Sequence, residues 1–99
     1  MSTHYRTPQK IVKTISATGT PEKITTTSTP ATRAIVCGFK SASPRTTNTT
    51  SVWLGTESTD GSQIIEVGTS GNYVLEQIDL SEWYVDVETA GDGVVVVYW

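Results

Sequence analysis

The pattern of this 99-residue chain predicts an all-β fold: an antiparallel β-sandwich of about eight strands, of jelly-roll type. Three observations carry that expectation. Short apolar–polar alternations recur along the chain, with Gly, Pro, Asn and Asp clusters between them at the spacing of strands. Ser and Thr supply 28 of the 99 residues, and Thr, being β-branched, fits a pleated surface. No helical heptad and no apolar run near the roughly 20 residues of a membrane helix competes with this reading.

Residues 10–17 place Ile11, Lys13 and Ile15 at every second position and stop at Thr18-Gly19-Thr20-Pro21. Residues 22–29 are a polar, threonine-rich strand closed by Pro30, suited to a sheet edge. Residues 33–42 put Ile35, Cys37 and Phe39 on one face and the smaller Ala34, Val36 and Gly38 on the other, where another sheet can come close. Residues 43–50 read as a polar loop. Residues 51–56 turn Val52 and Leu54 to one side and Trp53 to the other, and residues 63–68 and 72–80 continue the series. Residues 82–90 alternate cleanly, with Trp83, Val85 and Val87 against Tyr84, Asp86 and Glu88.

The remaining stretch, Ala-Gly-Asp-Gly followed by Val-Val-Val-Val-Tyr-Trp, reads as a tight turn into a strand that forms a hairpin with residues 82–90. This strand is apolar on both faces. Val94, Val96 and Tyr98 point one way and Val95, Val97 and Trp99 the other, so one set fills the core and the second needs a cover. A neighbouring copy or another segment of the chain would supply it, which makes Val95, Val97 and Trp99 the candidate oligomer interface.

At this length one domain is expected, residues 14–99, preceded by a basic N-terminal arm over residues 1–13. No apolar segment of a signal peptide follows the first residues, so synthesis on the reducing, cytoplasmic side of a membrane is the expectation. The single cysteine, Cys37, has no partner within the chain and reads as a small buried hydrophobe. The sequon at Asn48 is then silent.

Net charge is −3, but it is unevenly laid out. All seven basic residues precede residue 46, and nine of the ten acids follow it. Such a split points to contact with a partner or a neighbouring copy, or to neutralisation across one sandwich. Arg6, Lys10 and Lys13 are accordingly the candidate contacts to an acidic partner surface or a neighbouring subunit. The basic residues are scattered and lack interleaved stacking aromatics, so nucleic acid is not an expected partner, and neither is a membrane.

Catalytic chemistry has little to stand on. The only histidine, His4, lies near one end, away from any placed nucleophile. The carboxylate pairs Asp79 with Glu82 and Asp86 with Glu88 suit a solvated acidic face better than the cleft that acid–base cleavage needs. One histidine and one cysteine cannot build a structural zinc site. The stretch around Asp60 lacks the alternating oxygen ligands of a calcium loop. Neither an enzyme nor a cofactor is expected. Trp53, Trp83 and Trp99 read as core and interface anchors ahead of a sugar-stacking platform.

From about residue 31 onward, the order of motifs resembles small β-sandwich structural proteins of tailed bacteriophages. The elements are Arg33-Ala34-Ile35-Val36, the Ser/Thr/Asn/Pro loop at 43–50, Val52-Trp53-Leu54-Gly55, and Asn72-Tyr73-Val74-Leu75. They continue with Asp79-Leu80-Ser81, Tyr84-Val85, and Ala90-Gly91-Asp92 with Val94, Val96 and Trp99. The segment 57–71 departs from the family's loop. The resemblance implies a non-enzymatic capsid decoration or cement protein, commonly a homotrimer, bound to the major capsid protein on the virion surface. A fibre or head-fibre module that binds a receptor or glycan is the alternative.

Overall fold

Branched apolar residues at every second position decide which way each strand faces, and the computed structural model, which describes residues 7–99, shows the result. Ten strands form: β1 (Gln9–Thr14), β2 (Glu22–Lys23), β3 (Pro30–Cys37), β4 (Phe39–Ala42) and β5 (Arg45–Thr47). They are followed by β6 (Val52–Gly55), β7 (Ile65–Gly68), β8 (Asn72–Asp79), β9 (Tyr84–Val87) and β10 (Gly93–Tyr98). A single 3-10 turn, Leu80–Glu82, separates β8 from β9. One four-stranded sheet runs β1-β10-β3-β8, a second runs β2-β9-β6-β7, and β4 and β5 form a separate two-stranded ribbon. All pairings are antiparallel.

The core is built from the inward positions of both sheets. Ala34, Val36, Leu75, Val94 and Val96 from the first meet Val52, Leu54, Val67, Val85 and Val87 from the second. Ile15, Ile24 and Leu80, each just beyond a strand, close its ends. The alternation of residues 82–90 holds: Val85 and Val87 are buried, whereas Tyr84 and Asp86 are half-buried. So does the sidedness of β6, with Val52 and Leu54 fully buried and Trp53 half-buried.

Three expectations are corrected. First, β9 and β10 do not form a hairpin. β9 pairs with β2 and β6, and β10 pairs with β1 and β3, so the two strands lie in different sheets. The turn signals around Gly91, which sits at φ 91°, serve an arch between sheets as well as they serve a hairpin. Second, residues 43–50 are not all loop. Arg45–Thr47 pair back onto β4 around a cis Ser43–Pro44 bond, and this added strand, with the division of residues 33–42 between β3 and β4 at Gly38, takes the strand number from eight to ten. Third, the expected arm over residues 1–13 is strand from Gln9 onward, because Ile11 packs on the core and β1 pairs along its whole length with β10. Residues 1–6 lie outside the described residues.

Two side chains tie the sheets together. Strand β3 turns away at Gly38, so the place beside Gly93 in the ladder falls vacant, and Asn48 fills it. Its Nδ2 donates to the Gly93 carbonyl at 2.8 Å and its Oδ1 accepts from the Gly93 N–H at 2.9 Å. This spends the Asn48 side chain in a buried position and leaves its sequon without a free amide. Next to it, Asp92 is fully buried. Its carboxylate accepts from the N–H groups of Thr49 and Thr50 at 3.0 Å, with the Lys40 ammonium at 3.9 Å. Elsewhere, Asp79 caps the 3-10 turn through the Ser81 N–H at 2.9 Å and holds the Thr29 N–H at 2.8 Å.

Two tests follow from these ties. Replacing Asn48 with Ala leaves both backbone groups of Gly93 unpaired in a buried place, at about 1–3 kcal/mol each. Urea unfolding of Asn48→Ala is expected to show a lower midpoint with an unchanged m-value. The second test concerns acid. Hydrogen bonds from the Ser28 hydroxyl, the Thr29 N–H and Ser81 hold the Asp79 carboxyl well below the usual carboxylate range. A carboxyl depressed by folding lends stability above its unfolded pKa, near 4, and that stability is lost as pH falls toward the folded value. Asp79→Asn is therefore expected to be less stable than the wild type at pH 7, with the gap closing below about pH 4. Parallel pH series of thermal melts check this. A gap that stays constant across the series refutes it.

Candidate functional site

Residues opposite one another in antiparallel strands point to the same side of the sheet. In the first sheet the outward rows can be read directly from the pairing. Lys10, Val97, Ile35 and Val74 form one cross-strand row, and Val12, Val95 and Cys37 form the next. The centre of this face is apolar. Val12 is 45% exposed and Val74 41%, with Ile35 and Val97 half-buried between them. Polar groups rim it: Lys10 at one edge, and Arg33 paired with Glu76 at 3.6 Å at the other. An apolar centre inside a polar rim is the anatomy of a protein–protein contact.

The three interface candidates, Val95 and Val97 on β10 and Trp99 just past its end, share this outward face. Val95 is buried where β4 packs against β10, while Val97 and Trp99 are half-buried. The strand is held to its last residue, since the Trp99 N–H donates to the Arg33 carbonyl at 3.0 Å and its carbonyl accepts from Thr32. The basic candidates are not gathered in one place. Arg6 lies outside the described residues. Lys10 flanks the apolar face, whereas Lys13, three residues on and so on the opposite face of the strand, pairs within the chain with Glu22 at 2.9 Å. Odd spacing along a strand signals that separation. Two of the three ion pairs among the described residues, Arg33–Glu76 and Lys40–Asp92, join the basic first half to the acidic second half.

Cys37 sits on the same outward face, half-buried. Burial raises its thiol pKa, and Arg45 offsets part of that rise. A neutral thiol at pH 7 behaves as a small hydrophobe rather than as a nucleophile.

The outward face of the second sheet has a different chemistry. Trp53 lies opposite Asp86 on one side and Glu66 on the other. Its indole N–H donates to the Glu88 carboxylate at 3.1 Å, which fixes the ring. Tyr84 lies two residues before Asp86 on the same face, with the Lys23 ammonium 6.0 Å from its ring centre. Burial, reinforced by the neighbouring Asp60, pushes the Asp86 carboxyl above the usual range against the Val87 and Gly19 N–H groups, which lower it. Beside Trp53 lies a shallow cavity of about 430 Å³, lined also by Gly61, Gln63, Ile64, Asp86, Val87 and Glu88. The alternation predicted the sidedness of Trp53, but no sequence signal placed Gln63, far along the chain from Asp86, beside it. Among the described residues no three His, Cys, Asp or Glu side chains converge to hold a metal ion.

Compared with family models, with curated proteins and with solved structures, the chain matches none.

The thiol gives a direct check on the outward face of the first sheet. Alkylation of Cys37 in the folded protein is expected to stay slow at pH 7 and to rise only above the ordinary thiol range, near 8.5. A rate profile centred at or below that value removes the burial argument.

Proposed function

We propose that this chain is a non-enzymatic virion structural protein, a capsid decoration or cement protein that associates with itself as a trimer. In this reading it sits on the outside of a phage head against the major capsid protein. The observation that carries association is the apolar outer face of the first sheet, where Val12, Ile35, Val74 and Val97 form one patch inside a polar rim. Covering it removes apolar surface from water at about 25 cal/mol per Å², which for four such side chains amounts to roughly a few kcal/mol. A sandwich of this size has a thin core and gains more from such a cover than a larger domain does. The phage assignment itself draws on the order of motifs from residue 31 onward.

The strand order supports reading the sandwich as a jelly roll. With β4 and β5 set aside as an insertion, eight strands divide into β1-β10-β3-β8 and β2-β9-β6-β7, the chain crossing between sheets at most turns. A second reading, a fibre module that binds a receptor or glycan, draws on Trp53 lying on the solvent side of the second sheet.

Two measurements test the proposal. Sedimentation at micromolar concentration is expected to show a trimer for the wild type and a folded monomer for Val12→Lys with Val74→Lys. Both positions are open enough to accept lysine without entering the core, unlike Val95. A wild type that sediments as a single monomeric species overturns self-association. Mapping on purified virions is expected to place the protein on the head lattice, and a position on fibres favours the second reading.

A further inference from the structure

The strand order leaves the first sheet with two open edges. Among the described residues no strand pairs beyond β1 on one side or beyond β8 on the other. Which backbone groups face those edges follows from the ladder. Arg33 and Trp99 exchange both hydrogen bonds, so the odd-numbered residues of β3 turn their N–H and carbonyl groups to β10. The even-numbered side then turns to β8, as the Gly38 N–H does in donating to the Gly71 carbonyl at 2.8 Å. On β8 this leaves Asn72, Val74 and Glu76 with N–H and carbonyl directed to the open edge. The Ile15 N–H, which donates to the Asp92 carbonyl at 2.9 Å, sets the same alternation on β1, where Lys10, Val12 and Thr14 face outward. All six residues are exposed.

The two edges match. Gln77, at φ 50°, ends the straight run of β8 after Glu76, so residues 72–76 remain, as long as residues 10–14 of β1. A four-stranded antiparallel sheet has edge strands that run in opposite directions. Copies in one common orientation therefore meet antiparallel, β1 of one against β8 of the next. In the register that sets Val12 opposite Val74, Lys10 falls opposite Glu76 and Thr14 opposite Asn72. Opposite residues share a face, so valine meets valine and ammonium meets carboxylate. A slip of two residues sets Val12 against Asn72 or Glu76 and breaks the charge pair. Pairing either edge with its own copy makes no ion pair.

We propose that β1 of one copy and β8 of the next join into one antiparallel sheet, with Lys10 opposite Glu76 and Val12 opposite Val74. The inference rests on the self-association proposed above and names the contact that carries it. Such a head-to-tail contact uses both edges of every copy, and three copies complete a ring. It also continues the apolar row that ends at Val74 into the row that starts at Val12 in the next copy. The uneven charge layout gains a use, basic β1 against acidic β8.

The test is amide hydrogen exchange on the isotopically labelled full chain, at concentrations above and below assembly, with sedimentation of the same samples. The N–H groups of Val12, Val74 and Glu76 have no ladder partner within one copy. They are expected to exchange slowly in the trimer and quickly after dilution to monomer. Lys10→Glu and Glu76→Lys are each expected to weaken assembly by about tenfold. The double variant restores opposite charges at every junction and is expected to recover assembly. Slow exchange of the β10 amides reports that each variant keeps its fold.

A trimer in which the three edge N–H groups exchange quickly overturns the edge contact while self-association stands, and Lys10 then only guards the edge against foreign strands. Slow exchange at one edge alone, or no recovery in the double variant, also overturns it. A wild type that is monomeric at every concentration overturns both this contact and the self-association on which it rests.

Discussion

The start of β10 is the point on which the rest of the structure depends. Here the chain crosses from one sheet to the other and must satisfy two buried polar residues at once. Gly93 has room for no side chain, since a Cβ there would lie against the Lys13 carbonyl and 2.7 Å from Thr14 Cα. Its own N–H and carbonyl are taken by Asn48, and the buried Asp92 carboxylate is met by two backbone N–H groups and a lysine. A buried carboxylate is tolerated only when its lone pairs are met in this way. The result fixes the loop before β6 to the strand at the centre of the opposite sheet. From there β10 runs between β1 and β3 with both ladders complete, and Val94 and Val96 are delivered to the core.

A central strand flanked on both sides solves one exposure problem and leaves another. The backbone of β10 has no open edge, which removes the hazard of a valine run pairing with foreign strands. Its outward side chains remain. Part of that face is covered where β4 packs across β10 and β1, and Val95 is buried there. The remainder, from Val12 through Val97 and Ile35 to Val74, stays open as a continuous apolar patch. The opposite side of the sandwich has the reverse character, with Trp53 and Tyr84 set among carboxylates. The two outer faces therefore differ in chemistry, one apolar and one aromatic and acidic.

Much of this was legible in the sequence. Period-two alternation gave the inward faces of β3, β6 and β9, because a strand has only two sides and an apolar residue on the wrong one is costly. The two-faced apolar run of β10 announced a strand without a solvated side. The uneven charge layout was legible too, though not its use. Whether Lys13 met a partner or Glu22 depended on how β1 and β2 lay relative to each other. Of the outward aromatic site, Trp53, Asp86 and Glu88 could be assigned to solvent-facing positions from alternation alone. Gln63 could not, since it lies between strands, while Trp53 comes from β6 and Asp86 and Glu88 come from β9 and its extension, more than twenty residues further on.

The sequence by itself determined the fold class, the inward and outward sides of most strands and the apolar character of β10, since these follow from local alternation and β-branching. Tertiary structure alone decided which strands pair. Turn residues such as those around Gly91 permit either a hairpin or an arch, and the choice rests on which ladder leaves fewer buried polar groups unpaired. For β10 that choice was made by residues far away in the chain. Asn48 completes the ladder at Gly93, and Ile11 and Val36 flank Val96 in the core, so β10 sits between β1 and β3 rather than beside β9.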